Sequence, residues 1–279
     1  MPTAQETGRK PIKLILTDID GTILPYSKSV VSDACRAAFH AALDAGIHIG
    51  PASGRGAARV KPVFGDEACC QTILATNGME LYLDGEKVYE SHLEREDIVA
   101  MAAAVHDLDG CGLVCFDGPD ALVVEGSIEN LAAAFPAYAP SARYVDEVPH
   151  KPIVKTNVFT PVDLETTQHV LEHLRSRVPN IDYSLPQPGF VNMTPHGWNK
   201  GTAVEMLCSK LSIDLDQAVV FGDAGNDVEM LSHVPNSVAV AGATPDAKAA
   251  ARWHIGAVED DAVPAAIAAL ARGEWPFTE

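Results

Sequence analysis

The chain has 279 residues, 47% of them hydrophobic, enough for one large domain or two modest ones and too apolar to be read as disordered. With 20 Lys and Arg against 38 Asp and Glu the net charge is −18, a field that repels nucleic acid and anionic lipid, so neither is an expected partner. No apolar run approaches the roughly 20 residues that cross a bilayer, Met1–Lys10 reads as a polar mobile tail without a signal-peptide centre, and six cysteines in no regular framework suit a reducing, cytoplasmic setting.

Taken in chain order, Ile12–Thr17 is an apolar run of buried-strand type that leads straight into Asp18. A helix follows near Ser32–Ala45. The strand Ile47–Pro51 then leads to Ser53-Gly54-Arg55, and Thr72–Ala75 leads to Asn77-Gly78. Glu80–Ser91 reads as a hairpin about Asp84-Gly85. Next come a helix at Asp97–Asp107, adjacent strands at Gly112–Phe116 and Ala121–Glu125, a short helix, and a strand at Ile153–Phe159. Asp163–Val178 is amphipathic, with Leu164, Leu171, Leu174 and Val178 on one face, and strands near Ile181–Leu185 and Phe190–Thr194 close this region. Late in the chain Ala218–Phe221 stops at Gly222-Asp223, and after a helix comes the strand Ser237–Ala241. Short apolar strands separated by helices indicate a doubly wound parallel sheet. The middle reads instead as α+β. The expected organisation is an α/β core over 1–83 and 190–279, with a second domain inserted at 84–189.

Four motifs fall where such folds bind ligands, at the carboxyl ends of strands or the start of a helix. In Asp18-Ile19-Asp20-Gly21-Thr22 the chain can turn at Gly21, so both carboxylates reach one place, one to attack and the other to manage protons. Ser53-Gly54-Arg55 offers a hydroxyl and backbone N–H groups to an anion, or else a plain helix cap. Lys200 opens a helix after His196-Gly197-Trp198-Asn199, and a lone lysine there is usually a solvent-facing charge. Gly222-Asp223-Ala224-Gly225-Asn226-Asp227 gathers carboxylates and an amide suited to a hard cation such as Mg²⁺, or to closing a turn.

Together, in order and spacing, the four motifs resemble the haloacid dehalogenase (HAD) superfamily. The room for a whole domain between Ser53 and Lys200 resembles its type IIB, Cof-like branch with an α/β C2-type cap. That resemblance implies a phosphatase of small phosphorylated metabolites, sugar phosphates in particular, working through an aspartyl-phosphate. It makes Asp18 the nucleophile, Asp20 the acid and base, and Lys200 the counter-charge. It gives Mg²⁺ to Asp18, the Asp20 carbonyl, Asp223 and Asp227, and phosphate contacts to Ser53, Gly54, Arg55, Asn77 and Asn226. Asp20 sets the chain apart from haloalkanoate dehalogenases, which lack a second Asp, and from transport ATPases, which carry Thr there. The Pro195–Lys200 stretch also resembles phosphomannomutases, which makes a phosphotransferase the alternative; a non-catalytic sugar-phosphate binder is a third reading. Gly225 stands where many Cof-like proteins carry Glu.

Other candidates are weaker. Cys111 and Cys115 near His106 lack a second ligand pair for zinc and read as packing thiols. His169 and His173 lie off the apolar stripe and read as surface residues. His150, Lys151 and Lys155 form a small basic cluster that either grips a substrate or is solvated charge, and Phe190 and Trp198 either stack on a ring or pack. The sequence assigns no oligomeric state.

Overall fold

The computed structural model describes residues 9–278; most of the expected tail, Met1–Lys10, lies outside them. The described residues form two compact units, one from 9–89 with 199–278 and one from 90–198.

The first unit begins with β1 (Leu14–Thr17), α1 (Asp33–Asp44), β2 (His48–Pro51), α2 (Ala57–Phe64), β3 (Ile73–Ala75), β4 (Glu80–Leu83) and β5 (Glu86–Glu90). The second holds α3 (Arg95–Val105), β6 (Gly112–Asp117), β7 (Asp120–Glu125), α4 (Ile128–Ala134), β8 (Ala142–Tyr144), β9 (Lys155–Phe159), α5 (Leu164–Arg177), β10 (Ile181–Gln187) and β11 (Phe190–Pro195). The chain then completes the first unit with α6 (Lys200–Leu211), β12 (Ala218–Gly222), α7 (Val228–His233), β13 (Ser237–Ala239), α8 (Pro245–Ala250), β14 (Trp253–His254) and α9 (Ala262–Ala271).

In the first unit a parallel sheet runs in the order β14-β13-β12-β1-β2. Every residue of β1 and β12 is buried, as continuous apolar strands between helical layers require. Register sets Thr17 opposite both Phe221 and Pro51, so three strands end level with one another. The sheet edge continues through a bridge between Ala52 and Leu74 into the β3-β4-β5 ribbon. Gly50 makes this approach possible, because a Cβ there would lie 1.8 Å from the Thr72 carbonyl oxygen. The β4–β5 turn has Asp84 and Gly85 at φ +53° and +80°, the left-handed pair that a two-residue hairpin turn demands. α1 starts where the Ser32 hydroxyl accepts from the Cys35 N–H, and it buries Cys35, Ala38, Phe39 and Ala42 at helical spacing. Arg9 stacks over the Trp275 ring at 4.1 Å.

In the second unit the sheet order is β10-β11-β9-β6-β7-β8, antiparallel except for β7 with β8. Alternation along β6 sends Leu113 and Cys115 to the core that includes residues of α3 and α5. Val114 and Phe116 go to the opposite one, with Leu131, Tyr138, Phe159 and Phe190. The inserted domain was expected over 84–189; the unit is Glu90–Trp198, because β5 pairs into the β3-β4-β5 ribbon of the first unit and β11 pairs with β10 and β9. Leu164 also departs from the expected stripe of α5. It is half exposed at the first helical position, where a side chain points back past the helix end, and Thr167 and Val170 are buried instead.

Candidate active site

All of the singled-out site residues lie in the first unit. Asp18 follows the last residue of β1, and its N–H donates to the Phe221 carbonyl at 2.9 Å, which sets it beside the end of β12. The turn after it needs Gly21 at φ +87°, where a Cβ would lie 2.4 Å from Asp223 Oδ2. That turn brings Thr22 beside the β12 end, and its hydroxyl donates to Asp223 Oδ1 at 2.9 Å.

Lys200 is completely buried at the start of α6. A reciprocal cap holds it there: the Asn199 side chain accepts from the Thr202 N–H, and the Thr202 hydroxyl accepts from the Asn199 N–H. Its ammonium donates to Asp18 Oδ1 at 2.7 Å and to Asp227 Oδ1 at 2.6 Å. The other Asp227 oxygen accepts from the Asp223 and Ala224 N–H groups. Asp227 therefore closes the turn and grips the lysine, which engages both of its oxygens within the chain.

Asp18, Asp223 and Asp227 each offer an oxygen within 4.8 Å of the others, and all three are buried. Three carboxylates thus share one ammonium, and charge is left uncompensated. Burial is the largest influence on Asp18 and pushes its carboxyl well above the ordinary range, with Asp227 and Asp223 adding to it against Lys200. Asp223 is pushed up to about 7, first by burial and then by Asp227. Burial works against the charge on Lys200, but Asp18 and Asp227 outweigh it and hold the ammonium charged. An oxygen-only, buried and over-negative cluster is chemically suited to a hard divalent cation. One such charge pair at 4 Å is worth on the order of 4 kcal/mol at an effective dielectric near 20.

The second acidic residue, Asp20, is held by a guanidinium fork, Arg55 Nε to Oδ2 at 2.8 Å and an Arg55 terminal nitrogen to Oδ1 at 2.6 Å. Ser53 is 2% exposed. It does not cap a helix, since α2 begins after Gly56. Its N–H donates to the Leu74 carbonyl, and its hydroxyl oxygen accepts from the Arg55 N–H at 3.1 Å. Gly54 forms the bend between them. Thr76 and Asn77 both adopt positive φ, and the loop is held in that strained form by bonds from the Thr76 N–H to the Arg55 carbonyl and from the Asn77 N–H to the Ser53 carbonyl. The Asn226 side-chain amide then donates to Asn77 Oδ1 at 3.2 Å. The four sequence motifs are thereby joined in one network.

Two neighbours escaped the sequence reading. Thr22 was legible in principle, as the hydroxyl within the first motif. The Tyr26 hydroxyl lies 3.5 Å from both the Asp20 carbonyl and Asp223 Oδ2, and no sequence signal marks it. The remaining candidates are elsewhere. Cys111 and Cys115 are buried in the second unit's core, while His106 faces Glu125. His169 is exposed, and His173 meets the Ala104 carbonyl. Lys151 pairs with Asp117, His150 lies 3.5 Å from Glu147, and the Lys155 ammonium donates to the Tyr138 hydroxyl. Phe190 is core, against Phe135 and Tyr138, and Trp198 is half-buried.

Known proteins resemble this chain over nearly its whole length. The Escherichia coli protein named 5-amino-6-(5-phospho-D-ribitylamino)uracil phosphatase YbjI is 23% identical over 269 residues, covering 96% of this chain and 99% of that protein. A phosphoglycolate phosphatase of Pyrobaculum islandicum is 28% identical over 243 residues, covering 86% of this chain and 87% of its own length. Among solved structures, the HAD subclass IIB sugar phosphatase BT4131 superposes with a TM-score of 0.79 at 23% identity, covering 91% of this chain and 97% of that one. SMU.1108c from Streptococcus mutans superposes at 0.82 and 22%, covering 92% and 97%. The fold is therefore that of the HAD phosphatases. The family model described as haloacid dehalogenase-like hydrolase matches residues 15–267, and the chain belongs to that family.

Proposed function

We propose that this chain is a Mg²⁺-dependent phosphatase that hydrolyses a small phosphorylated metabolite, a sugar phosphate, through an aspartyl-phosphate on Asp18. The observation that carries the reading is Asp18 itself, a buried carboxylate at a strand end, gripped by the Lys200 ammonium, with Asp20 two residues on. In the first half-reaction an Asp18 oxygen bonds to phosphorus, the bond to the leaving oxygen breaks, and Asp20 gives that oxygen its proton. In the second, water attacks phosphorus, Asp20 takes the water proton, and the Asp18–phosphorus bond breaks to release phosphate. Lys200 offsets the repulsion between the Asp18 carboxylate and the phosphoryl group. Ser53, Gly54, Asn77 and Asn226 are assigned to holding phosphate oxygens.

Asp18, the Asp20 carbonyl and Asp223 would hold Mg²⁺, which supplies further neutralisation of the transferring group. Asp227 was expected among its ligands; with both oxygens engaged we assign it instead to orienting Lys200 and the Asp223 turn. The 90–198 unit is assigned as the C2-type cap that selects the substrate. The six free, buried thiols support a cytoplasmic setting. Phosphate release from a panel of sugar phosphates, with and without Mg²⁺, tests the reading. The wild type should turn over at least one of them only with Mg²⁺, and Asp18→Asn should lose about 10³-fold or more. Full activity in Asp18→Asn would refute it.

A further inference from the structure

Arg55 was expected to bind phosphate; in this structure two of the guanidinium's five N–H donors engage another group. Both Asp20 oxygens accept from it, through Nε at 2.8 Å and a terminal nitrogen at 2.6 Å. A fork of this kind fixes the plane of a carboxylate as well as its position, which a single ammonium cannot do. The mounting of Arg55 is firm at both ends of its backbone. Its N–H donates to the Ser53 hydroxyl at 3.1 Å, and its carbonyl accepts from the Thr76 N–H at 2.9 Å. Ser53 and Thr76 belong to the segments that follow β2 and β3, so the arm is tied to two strand ends. Asp20, in contrast, sits in a turn just beyond β1, and its side chain is 39% exposed. Without the fork a carboxylate so placed would sample several rotamers. Proton delivery to a departing oxygen demands one of them, because the transfer works only within hydrogen-bond reach.

We propose that Arg55 is the positioning residue of this site, holding the Asp20 carboxyl in the orientation from which it protonates the leaving oxygen. The inference rests on the acid role given to Asp20 above. Arg55 forms no bond to the substrate in this scheme: the proton passes from Asp20 to the leaving oxygen as the phosphorus–oxygen bond breaks, and the guanidinium keeps its charge throughout.

Leaving-group dependence separates alignment from phosphate binding. p-Nitrophenyl phosphate expels an anion that departs with little need of a proton, whereas phenyl phosphate expels a far more basic one. Both present the same phosphoryl group, and kcat/KM reports the first half-reaction for each. With Mg²⁺ present, Asp20→Asn should lose on the order of 10²-fold more on phenyl than on p-nitrophenyl phosphate, in line with the worth of a general acid. Arg55→Gln should show the same selectivity at roughly tenfold or more, since a misplaced catalytic group costs up to about 10²-fold. Arg55→Lys keeps the charge but lacks the fork, and should show it too. In the Asp20→Asn background the Arg55 substitutions should cost nothing further on phenyl phosphate, because the two residues act as one unit. Thermal melts check that each variant is folded; if Arg55→Gln is not, Arg55→Lys and its double variant decide.

Equal losses on the two esters for the folded Arg55 variants, or full activity in Arg55→Lys, would overturn the assignment and leave Asp20 as the acid. Equal losses on the two esters for Asp20→Asn would overturn both the assignment and the acid role it rests on.

Discussion

Lys200 ties together the buried charges of the site in one side chain. It is wholly buried, and its two partners are buried carboxylates, so removing it strands two charges rather than one contact. Lys200→Met is expected to cost about 3–5 kcal/mol of stability at neutral pH, as breaking a buried pair does. Denaturant unfolding measures this, and the loss should shrink in acid, where the stranded carboxyls are protonated. Asp223 adds a pH dependence. Its carboxyl rises from an ordinary 3.8 to about 7, so between those limits the metal-free fold holds a proton that the unfolded chain releases. Stability of the metal-free protein should therefore fall as pH rises from about 4 to 7. In the proposed site a divalent cation has to displace that proton, so the gain in Tm on adding Mg²⁺ should be larger at pH 8 than at pH 5.5. An equal gain at both would mean that Asp223 is not a ligand. At this scale the sequence singles out residues that the structure gathers in one place, and it is silent about their pairing. Asp18, Asp20, Ser53, Lys200 and Asp223 stand out because each follows an apolar strand or opens a helix. The Arg55 fork and the double duty of Asp227 depend on where side chains point after a turn, which no spacing reports.

The elements explain why these residues can meet. Three strands of one parallel sheet end level, and the close approach of β2 to Thr72 is allowed only by the missing side chain at Gly50. Gly50→Ala must push backbone against backbone, and overpacking of this kind costs about 1–3 kcal/mol. Activity should fall further than stability alone explains, since the displaced segment leads into Ser53 and Thr76; melting and turnover measured on one preparation test this. Element positions were legible from apolar runs and turn residues such as Asp84-Gly85. The end of the inserted unit was not, because the pairing of β11 with β9 is a long-range choice that local pattern leaves open. Leu164 was misplaced for a different reason. Periodicity assigns a face to every residue of a helix, but the first turn can project beyond the layer it packs on.

For the whole molecule the governing quantity is a charge of −18. A dianionic phosphate ester approaches against that field, so salt should help rather than hinder its capture. At saturating Mg²⁺, kcat/KM is expected to rise with ionic strength up to about 0.15 M, where the screening length is about 8 Å; a fall would point to a local positive funnel that outweighs the net field. The six cysteines, all buried, carry a practical consequence. Burial pushes Cys35 and Cys69 up to about 12 and Cys70, Cys111, Cys115 and Cys208 up to about 11, so none is a thiolate at working pH. An alkylating reagent can reach them only when the surrounding structure opens. Cys111 and Cys115 belong to the 90–198 unit and the other four to the remainder of the chain. Timed alkylation read by peptide mass would therefore run as two clocks in one tube, one for each unit, and would report which of them opens first without any engineered label.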